Sequence, residues 1–509
     1  MLRTWPRKQD SWVERVDLTP IGIDIGSTKI VAFSAQRVGE QWSFQKQGEA
    51  CANAYGIDDR GQELQGNLAL QRLFLRPSLT VSHYHHLLGR KLLPVEFLRN
   101  YSPIRFGIHQ THHGLLLCLG KQEISPTQIL SKVLLHFKKK LPDSLSFNPS
   151  LEAVVVVPSD FSHLQRQALQ EALAHSGIHC RQLLNTPLAV ALSSKNPTVS
   201  HEFLLVCDFG GAVFETALVE IQGDNIEMVA SKADPYLGGN DFNKAIANYA
   251  MNLFYSQTGI NLSQQPLALQ RVYDLSEISK RDLDEQQETQ FNIPFIAMDE
   301  RSLPVDLNFR LSREMLEELG APSLERAVRL VESLLKETQF DKQKISRVVL
   351  VGGQSRMPAF QALLSKRLQC ATQLAEPATE LPAMGAALLG YSLKENSNVH
   401  FQLGHLTSQD ISFEKADGSL HVVIPRSSRL PKTKEVFATT SFDNQSELTL
   451  RLFQGNSADE KIGEYSFVGI PPGNAGTVKI KIRFEMDVHG ILKITAKNAA
   501  NDQEMEVLC

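Results

Sequence analysis

The sequence predicts an α/β domain followed by an all-β sandwich. Apolar, β-branched runs that end in glycine or proline are typical of buried strands in an α/β sheet. Such runs begin at Ile21, Ala153, Leu204 and Arg347. Helical patterns lie between them, as at 164–177 and 323–337, which indicates alternating strands and helices. Further on, apolar and charged residues alternate with a period of two, as at 478–486, the pattern of a sheet with one solvated face.

The composition excludes several classes of protein. A chain of 509 residues has room for two to four domains, and 42% hydrophobic with 21% charged residues is typical of globular proteins rather than disordered or fibrous ones. The net charge of −4 gives no reason to expect nucleic acid or an anionic membrane as partner. No run approaches the roughly 18 apolar residues of a membrane span. Six cysteines without CxxC spacing argue against a disulfide framework and favour a cytoplasmic location.

Two glycine turns carry the chemistry of the α/β domain. Asp24 precedes the turn at Gly26, and Asp208 precedes the turn at Gly210. Backbone amides at such turns bind phosphate because no Cβ blocks close approach. The two turns therefore predict hairpins that hold a polyphosphate from opposite sides, with both aspartates holding water on a magnesium ion. The alternative is a structural turn that is retained in a fold without nucleotide.

Four motifs carry a resemblance to a known family. GIDIGSTK at 22–29, VCDFGGAVFE at 206–215, PYLGGNDFN at 235–243 and VVLVGGQSRMP at 348–358 resemble, in this order, motifs of the DnaK-type 70-kDa heat-shock chaperones. The resemblance implies an actin-like nucleotide-binding domain with two lobes at 21–395, after a polar N-terminal extension at 1–20. It further implies a linker at 396–402 and a β-sandwich peptide-binding domain at 403–509, without the family's helical lid.

The resemblance also implies site residues, with ATP or ADP and Mg²⁺ as cofactors. The nucleotide contacts would come from Asp24, Gly26, Ser27, Thr28, Asp208, Gly210, Gly211, Gly238, Gly239, Glu277, Lys280, Arg281, Gly352, Gly353 and Arg356. Asp24 and Asp208 would hold Mg²⁺ through water. The peptide groove would be lined by Ile411, Phe413, Phe437, Leu448 and Leu450. These five residues are alternatively explained as sandwich core, since any sandwich has alternating apolar positions.

Four catalytic positions depart from the family pattern. His85 stands where the family has the lysine that positions the attacking water, and Thr186 replaces a glutamate. Val213 replaces a phosphate-contacting threonine, and Glu215 replaces a shorter aspartate. Hydrolysis requires an oriented water and charge stabilisation on the γ-phosphoryl group. We therefore expect nucleotide binding to persist and hydrolysis to be weak or lost. The polar segment 397–406 is expected to dock poorly, which would reduce coupling between the domains.

Three functions follow from these patterns. The leading hypothesis is a chaperone-like protein that binds nucleotide and holds unfolded or client polypeptide, with a J-domain co-chaperone and an exchange factor as further implied partners. The second is an active ATP-driven folding chaperone in which His85 and Glu215 partly substitute for the usual groups. The third is a scaffold dedicated to one partner, for example in iron–sulfur cluster assembly.

Two groups of histidines raise the question of a metal ion. They comprise His83, His85, His86, His109, His112 and His113. Histidine spacing alone is a weak signal, and no supporting carboxylate or cysteine arrangement is evident in the sequence. The favoured interpretation is a partly exposed helix and loop.

Overall fold

The computed structural model describes residues 19–73, 75–94, 97, 106–112, 114–455 and 461–508. Most of the predicted N-terminal extension, together with His113 and Cys509, lies outside this part of the chain. Within it, a mixed α/β region is followed by an all-β region, as the sequence pattern predicts.

The first half of the α/β region is built around a mixed sheet with two small antiparallel sheets beside it. Its strands are β1 (Ile21–Ile25), β2 (Lys29–Val38), β3 (Gln41–Lys46), β4 (Cys51–Ala52), β5 (Ala54–Ile57), β6 (Glu63–Gln65), β7 (Thr80–Ser82), β8 (Gly107–Thr111), β9 (Gly114–Leu119), β10 (Gln122–Ile124), β11 (Leu151–Val157) and β12 (Ile178–Asn185). Its helices are α1 (Asn67–Leu73), α2 (Pro126–Lys139), α3 (Asp143–Ser146), α4 (His163–His175) and α5 (Thr186–Ser194).

The second half contains another mixed sheet and a long hairpin. Its strands are β13 (His201–Phe209), β14 (Phe214–Gln222), β15 (Asn225–Asp234), β16 (Glu288–Met298), β17 (Pro304–Ser312), β18 (Arg347–Val351), β19 (Thr372–Leu374) and β20 (Gln402–Gly404). Its helices are α6 (Gly239–Thr258), α7 (Pro266–Glu285), α8 (Arg313–Glu337), α9 (Pro358–Leu368) and α10 (Leu381–Ser392). None of the helices in the described part of the chain has both the length and the apolar character that a membrane crossing requires.

The two large sheets repeat one topology. The first sheet has the order β12-β11-β1-β2-β3, and the second has the order β19-β18-β13-β14-β15. In each, two parallel pairings are followed by two antiparallel ones. Asp24 of β1 lies opposite Val156 of its parallel neighbour, and Asp208 of β13 lies opposite Val351 of its own. The repeat therefore gives the two aspartates equivalent positions.

The core explains why the strand sequences are continuously apolar. Val155 of β11 is buried against α2 and α4 in one cluster, while Val154 and Val156 are buried between the two sheets in another. Helices α5 and α10 fill the space between the sheets, and they cross closely because Gly385 has no side chain. A Cβ at Gly385 would lie 1.8 Å from the carbonyl oxygen of Ala189.

Strand β20 joins the second sheet after the α/β region has been completed. Leu403, which the sequence analysis assigned to the sandwich domain, lies in β20 and pairs with Ile226 of β15. Phe401 packs against the core between the sheets, and Leu406 is buried in it. The expectation that this segment docks poorly is therefore wrong, because its sparse apolar residues fall on the face that meets the core.

The C-terminal region consists of two facing antiparallel sheets. Its strands are β21 (Ile411–Glu414), β22 (Leu420–Ile424), β23 (Lys432–Thr439), β24 (Glu447–Gln454), β25 (Lys461–Val468), β26 (Lys479–Met486), β27 (Leu492–Asn498) and β28 (Glu506–Leu508). The orders are β22-β21-β24-β25-β28 and β23-β26-β27. The predicted hairpin turn between β26 and β27 is confirmed: the Gly490 amide donates to the Asp487 carbonyl at 3.0 Å, and Gly490 has φ of +72°.

Candidate functional site

Two glycine hairpins from the repeated sheets face each other. In the β1–β2 turn the Gly26 amide donates to the Lys29 carbonyl, and in the β13–β14 turn the Gly210 amide donates to the Val213 carbonyl, both at 3.0 Å. The tips are in contact, because a Cβ at Gly211 would lie 2.9 Å from Thr28 Cγ2. The two hairpins that the sequence predicts are confirmed as structural elements, and they bound a common cavity.

The cavity brings together most of the residues singled out in the sequence. From the predicted sites, its wall includes Asp24, Gly26, Ser27, Thr28, His85, Thr186, Asp208, Gly210, Gly211, Val213, Glu215, Gly352 and Gly353. All four positions that depart from the family pattern are therefore in the wall, beside the two aspartates.

Three carboxyl groups give the cavity an acidic floor. Removal from water raises the pKa of Asp24 to about 7, and the charge of Asp208 contributes to the rise. Removal from water also raises the pKa of Asp208 to about 6 and that of the buried Glu215 to about 8. Such a cluster favours a cation, since its ionised form is poorly compensated by protein groups. The all-oxygen donor set fits Mg²⁺, which prefers carboxylates and water.

Glu215 is fixed in the wall by β11 and by its own strand. It lies directly opposite Asp208 in the β13–β14 register. The Ser159 amide donates to Glu215 Oε1 at 3.1 Å, and the Ser159 hydroxyl donates to the same oxygen. These bonds favour the ionised carboxylate but are outweighed by burial. Ser159 follows β11 within the segment VVVVPSDF, and its role is missed by sequence analysis because it depends on the approach of two different sheets in the folded chain.

The histidine at the family's lysine position is uncharged at neutral pH. His85 is 7% exposed, and neither ring nitrogen has a hydrogen-bond partner within the described structure. Burial, with a smaller effect of His83, lowers the pKa of His85 to about 3. The imidazole therefore cannot supply the positive charge of a lysine. His85 and His86 are buried in the short 3-10 helix Tyr84–Leu87, so the expectation of partial exposure is wrong for these two histidines, whereas His83 and His109 do keep exposed surface.

The other two substituted positions also lack a group aimed at a phosphoryl transfer. The hydroxyl of Thr186 donates to the Val157 carbonyl at 3.2 Å, which uses its proton to hold the start of α5. Val213 lines the cavity with an apolar side chain. Neither residue offers a free carboxylate or hydroxyl to orient a water molecule.

Lys29 is a cationic residue of the cavity that sequence analysis misses. Its Nζ donates to Thr379 Oγ1 at 2.9 Å, and its side chain lies in the cavity wall. Burial lowers its pKa, while the charges of Glu380 and Asp24 act in the opposite direction. The residue belongs to the GIDIGSTK motif, but the motif does not show where its side chain points. Only the folded chain, in which Lys29 begins β2 beside Thr379, shows that its ammonium group reaches the cavity.

The glycines at the start of α6 attach this helix to the second hairpin. The Gly239 amide donates to the Gly210 carbonyl at 3.0 Å, and a Cβ at Gly238 would lie 2.5 Å from the Ala212 amide nitrogen. Lys280 Nζ donates to the Gly239 carbonyl at 2.8 Å. Burial lowers the pKa of Lys280 to about 8. Close backbone approach therefore explains Gly238, whereas a Cβ at Gly239 would lie 2.6 Å from Lys280 Nζ and displace this ammonium group.

The remaining residues predicted to contact the adenosine group lie on α7 and after β18. Glu277 and Arg281 form an ion pair at 3.1 Å on α7, next to Lys280. Gly352 has φ of +86°, and a Cβ there would lie 2.4 Å from Asp208 Oδ1. Arg356 lies 3.5 Å from Glu376. Glu277, Lys280, Arg281 and Arg356 do not belong to the cavity wall described above.

The predicted peptide residues divide into two groups. Ile411 is fully buried and Leu450 is 9% exposed, and both belong to the sandwich core. Phe413 and Leu448 are partly buried against the same core. Phe437 is 66% exposed on β23. The alternative explanation as core therefore applies to Ile411 and Leu450, whereas the other three keep accessible apolar surface.

A chain of contacts links the cavity to the sandwich. Arg166 of α4 donates through Nη2 to the Ser159 carbonyl at 3.4 Å, next to Glu215, and through Nη1 to the His489 carbonyl at 3.1 Å. Phe161, which lines the cavity, accepts a hydrogen bond from the Ser408 hydroxyl at 3.2 Å. Arg166 Nη2 also donates to the carbonyl of Pro158 in the cavity wall at 3.5 Å, so one buried arginine contacts both the cavity wall and the β26–β27 turn.

The structure defines a class of proteins with two domains. The first is an α/β domain of two repeated sheets with an acidic cavity between facing hairpins, and the second is an all-β sandwich. A family model described as Hsp70 protein matches residues 20–509, and the chain belongs to the Hsp70 family. The family implies an actin-like ATPase domain and a β-sandwich substrate-binding domain. It supports a chaperone-type, ATP-binding function, and its members generally bind client polypeptides and J-domain co-chaperones.

Proposed function

We propose that this chain binds ATP and ADP with Mg²⁺ in the interlobe cavity, hydrolyses ATP slowly or not at all, and holds extended apolar segments of client polypeptides on its β domain. One observation carries the proposal. Three carboxyl groups suited to a magnesium nucleotide line the cavity, while His85, at the position where the resemblance implies a catalytic lysine, is buried and neutral.

The cavity residues have separate tasks in nucleotide binding. Asp24 and Asp208 would hold Mg²⁺ through water, with Glu215 behind them. Bound Mg²⁺ would neutralise charge on the phosphate oxygens. The Lys29 ammonium group adds a positive charge at the same wall. The glycine hairpins allow the phosphates to approach the backbone closely.

Weak hydrolysis follows from the groups that surround the γ-phosphoryl position. Phosphoryl transfer depends on an oriented water and on positive charge that stabilises the transition state. His85 supplies no charge, and the Thr186 hydroxyl is engaged by the Val157 carbonyl. Loss of a single stabilising donor costs about 10² to 10³ in rate. We therefore expect the chain to bind nucleotide measurably although it hydrolyses ATP slowly or not at all.

Peptide binding is assigned to the sheet β23-β26-β27. Strand β23 is at an edge of this sheet, and its Phe437 is exposed. An edge strand binds an extended segment through main-chain hydrogen bonds, with apolar side chains giving pockets. Phe413 of β21 and Leu448 of β24, which belong to the other sheet, keep accessible apolar surface and would extend the peptide site to that sheet.

The proposal is tested by separating binding from chemistry. Calorimetric titration with ATP and with ADP in the presence of Mg²⁺ is followed by single-turnover hydrolysis. We expect measurable affinity, turnover near background, and loss of affinity in Asp208→Asn. Asp224→Asn is the matched control, because Asp224 is a surface carboxylate that pairs with Lys195. An absence of nucleotide binding in the parent chain would overturn the proposal.

An active ATP-driven chaperone is the second candidate, favoured by the docked state of the sandwich. Strand β20 pairs with β15, and Arg166 joins the cavity wall to the β26–β27 turn. Both contacts would serve to couple nucleotide to peptide. Substantial turnover in the parent that falls to background in Asp208→Asn would select this candidate. If neither ATP nor unfolded peptide protects the chain from proteolysis, the scaffold alternative is the one that remains.

A further inference from the structure

The small sheet β8, β9 and β10 gathers three metal-ligating side chains of different chemistry. Cys118 of β9 lies directly opposite Glu123 of β10 and Gly107 of β8. His109 is two residues after Gly107, so it shares a sheet face with Gly107 and lies diagonal to Cys118. One ligand atom from each of His109, Cys118 and Glu123 lies within 4.8 Å of the others.

The contacts within this cluster already approach those of a coordination shell. His109 Nδ1 is 2.7 Å from Glu123 Oε1, and Cys118 Sγ is 4.0 Å from the same oxygen. Ligand atoms around a tetrahedral zinc ion are about 3.3 to 3.8 Å apart, given bonds of roughly 2.0 to 2.3 Å. Changes of side-chain rotamer on the order of 1 Å would therefore suffice. His109 and Glu123 are exposed, so an ion has access from solvent.

The backbone leaves space at the required place. A Cβ at Gly107 would lie 3.1 Å from Cys118 Cβ and 3.4 Å from Cys118 Sγ. A larger side chain at Gly107 would crowd the thiol from the strand that carries His109. The glycine therefore leaves the Sγ atom room to turn toward the histidine.

We propose that His109, Cys118 and Glu123 form a binding site for a divalent transition metal of the zinc class, with solvent as the fourth ligand. A set of one imidazole nitrogen, one thiolate sulfur and one carboxylate oxygen is suited to Zn²⁺ and unsuited to Mg²⁺, which takes oxygen ligands. The site lies outside the acidic cavity and is independent of nucleotide. The sequence pattern argued against a metal near His109 because no supporting cysteine or carboxylate was evident. In the folded chain Cys118 and Glu123 supply both.

The test uses Co²⁺ as a spectroscopic substitute for Zn²⁺ on the full chain, with reduced thiols, excess Mg²⁺ and no nucleotide. We expect one Co²⁺ per chain with a thiolate-to-cobalt charge-transfer band, and displacement of the band by Zn²⁺. Cys118→Ser should abolish the band. His109→Gln and Glu123→Gln should each weaken binding by about tenfold or more, since even indirect partners of metal ligands contribute 10- to 100-fold.

Two variants serve as matched controls. His201 pairs with Glu220 across two strands at 2.9 Å, as His109 pairs with Glu123, but its ring packs against Phe203 rather than a thiol. Cys370 is another partly exposed free cysteine. His201→Gln and Cys370→Ser should keep the band unchanged. Absence of a charge-transfer band in the parent chain, or its persistence in Cys118→Ser, would overturn the proposal.

Discussion

At the scale of single residues, burial decides the charge of His85 and Glu215, two of the residues proposed to stand at catalytic positions. His85 and Glu215 both have side chains that ionise in water, and both are held in the neutral form by removal from it. A histidine is a common replacement for a cation only where solvent or an acidic partner stabilises its charge. The hypothesis that His85 and Glu215 stand in for the usual groups is therefore not supported by their surroundings.

Restoring a cation at position 85 should increase hydrolysis. We expect His85→Lys to raise the single-turnover rate by about tenfold or more, because a fixed positive charge stabilises the transition state of phosphoryl transfer. His175→Lys on the exposed end of α4 is the control and should leave the rate unchanged. An unchanged rate in a correctly folded His85→Lys protein would contradict the assignment of weak hydrolysis to this position.

The affinity for magnesium nucleotide should increase with pH. The raised pKa values of about 6 for Asp208, about 7 for Asp24 and about 8 for Glu215 mean that these carboxyls lose their protons one after another between about pH 6 and pH 8, and that Glu215 is still mostly protonated in neutral solution. A cation favours their ionised form, so binding releases protons and strengthens as the pH rises from about 6 to about 8. Titration calorimetry in buffers of different ionisation enthalpy measures this release. Binding that is independent of pH in this range would contradict the prediction.

At the scale of elements, the three-residue strand β20 and the residues after it attach the sandwich to the α/β domain. It extends the second sheet at β15, and Leu406, two residues after it, is buried in the core between the two large sheets. A residue of the segment leading into the sandwich thus belongs to the core of the α/β domain. Movement of the sandwich away from this domain would expose it.

Shortening Leu406 should loosen the connection between the domains. We expect Leu406→Ala to lower the free energy of unfolding by about 2 to 4 kcal/mol, since a large buried side chain is lost, and to increase proteolytic cleavage within residues 395–402. Chemical denaturation and limited proteolysis measure the two effects. Val422→Ala is the control, because Val422 is exposed on β22. Equal cleavage in both variants would show that β20 does not depend on Leu406.

At the scale of the whole molecule, histidines form part of the contact between the domains. The Leu492 amide of β27 donates to His163 Nδ1 at 2.9 Å, and the Leu183 amide of β12 donates to His489 Nδ1 at 3.2 Å. Burial lowers the pKa of His163 to about 4. Burial, with Arg166 and His489 nearby, lowers the pKa of His405 to about 3. The docked state therefore favours His163 and His405 as neutral rings, and the Nδ1 atom of His163 acts as an acceptor.

Acid should separate the domains. Histidines exposed by undocking return toward their ordinary pKa of about 6.5, so the undocked state binds more protons. The contribution of each neutral histidine to docking is complete above pH 6.5. It is lost as the pH falls toward the pKa that the histidine has in the docked state, and at pH 5.5 the docking equilibrium constant is lower by about tenfold per histidine. Fluorescence energy transfer between labels on the two domains measures the loss.

Replacing His163 by asparagine isolates its part in this response. Asparagine places an oxygen near the position of Nδ1, so it retains an acceptor for the Leu492 amide but does not titrate. We expect His163→Asn to stay docked at pH 7.5 and to undock less at pH 5.5 than the parent. His201→Gln, on the surface of β13, should behave as the parent. An identical pH response in His163→Asn would remove this histidine from the mechanism.

Much of the local structure follows from sequence patterns. The buried strands β1, β11, β13 and β18, the hairpin turns after Asp24 and Asp208, and the alternating strand β26 are all predicted, since each depends on neighbours along the chain. The family resemblance further names many of the residues that meet in the cavity, but Glu277, Lys280, Arg281 and Arg356 lie outside its wall and Lys29 within it. Contacts between distant segments are not predictable in this way, as with Ser159 and Glu215, which lie 56 residues apart.

The sequence by itself determined the succession of an α/β and an all-β region and the two aspartate turns. Only the tertiary structure decided that His85 is neutral, that Lys29 reaches the cavity, that β20 docks on β15 and that Cys118 meets Glu123 and His109. The physical reason is that strand and turn formation depend on local periodicity. Charge state and ligand geometry depend instead on desolvation and on distances between chain segments that meet only in the folded molecule.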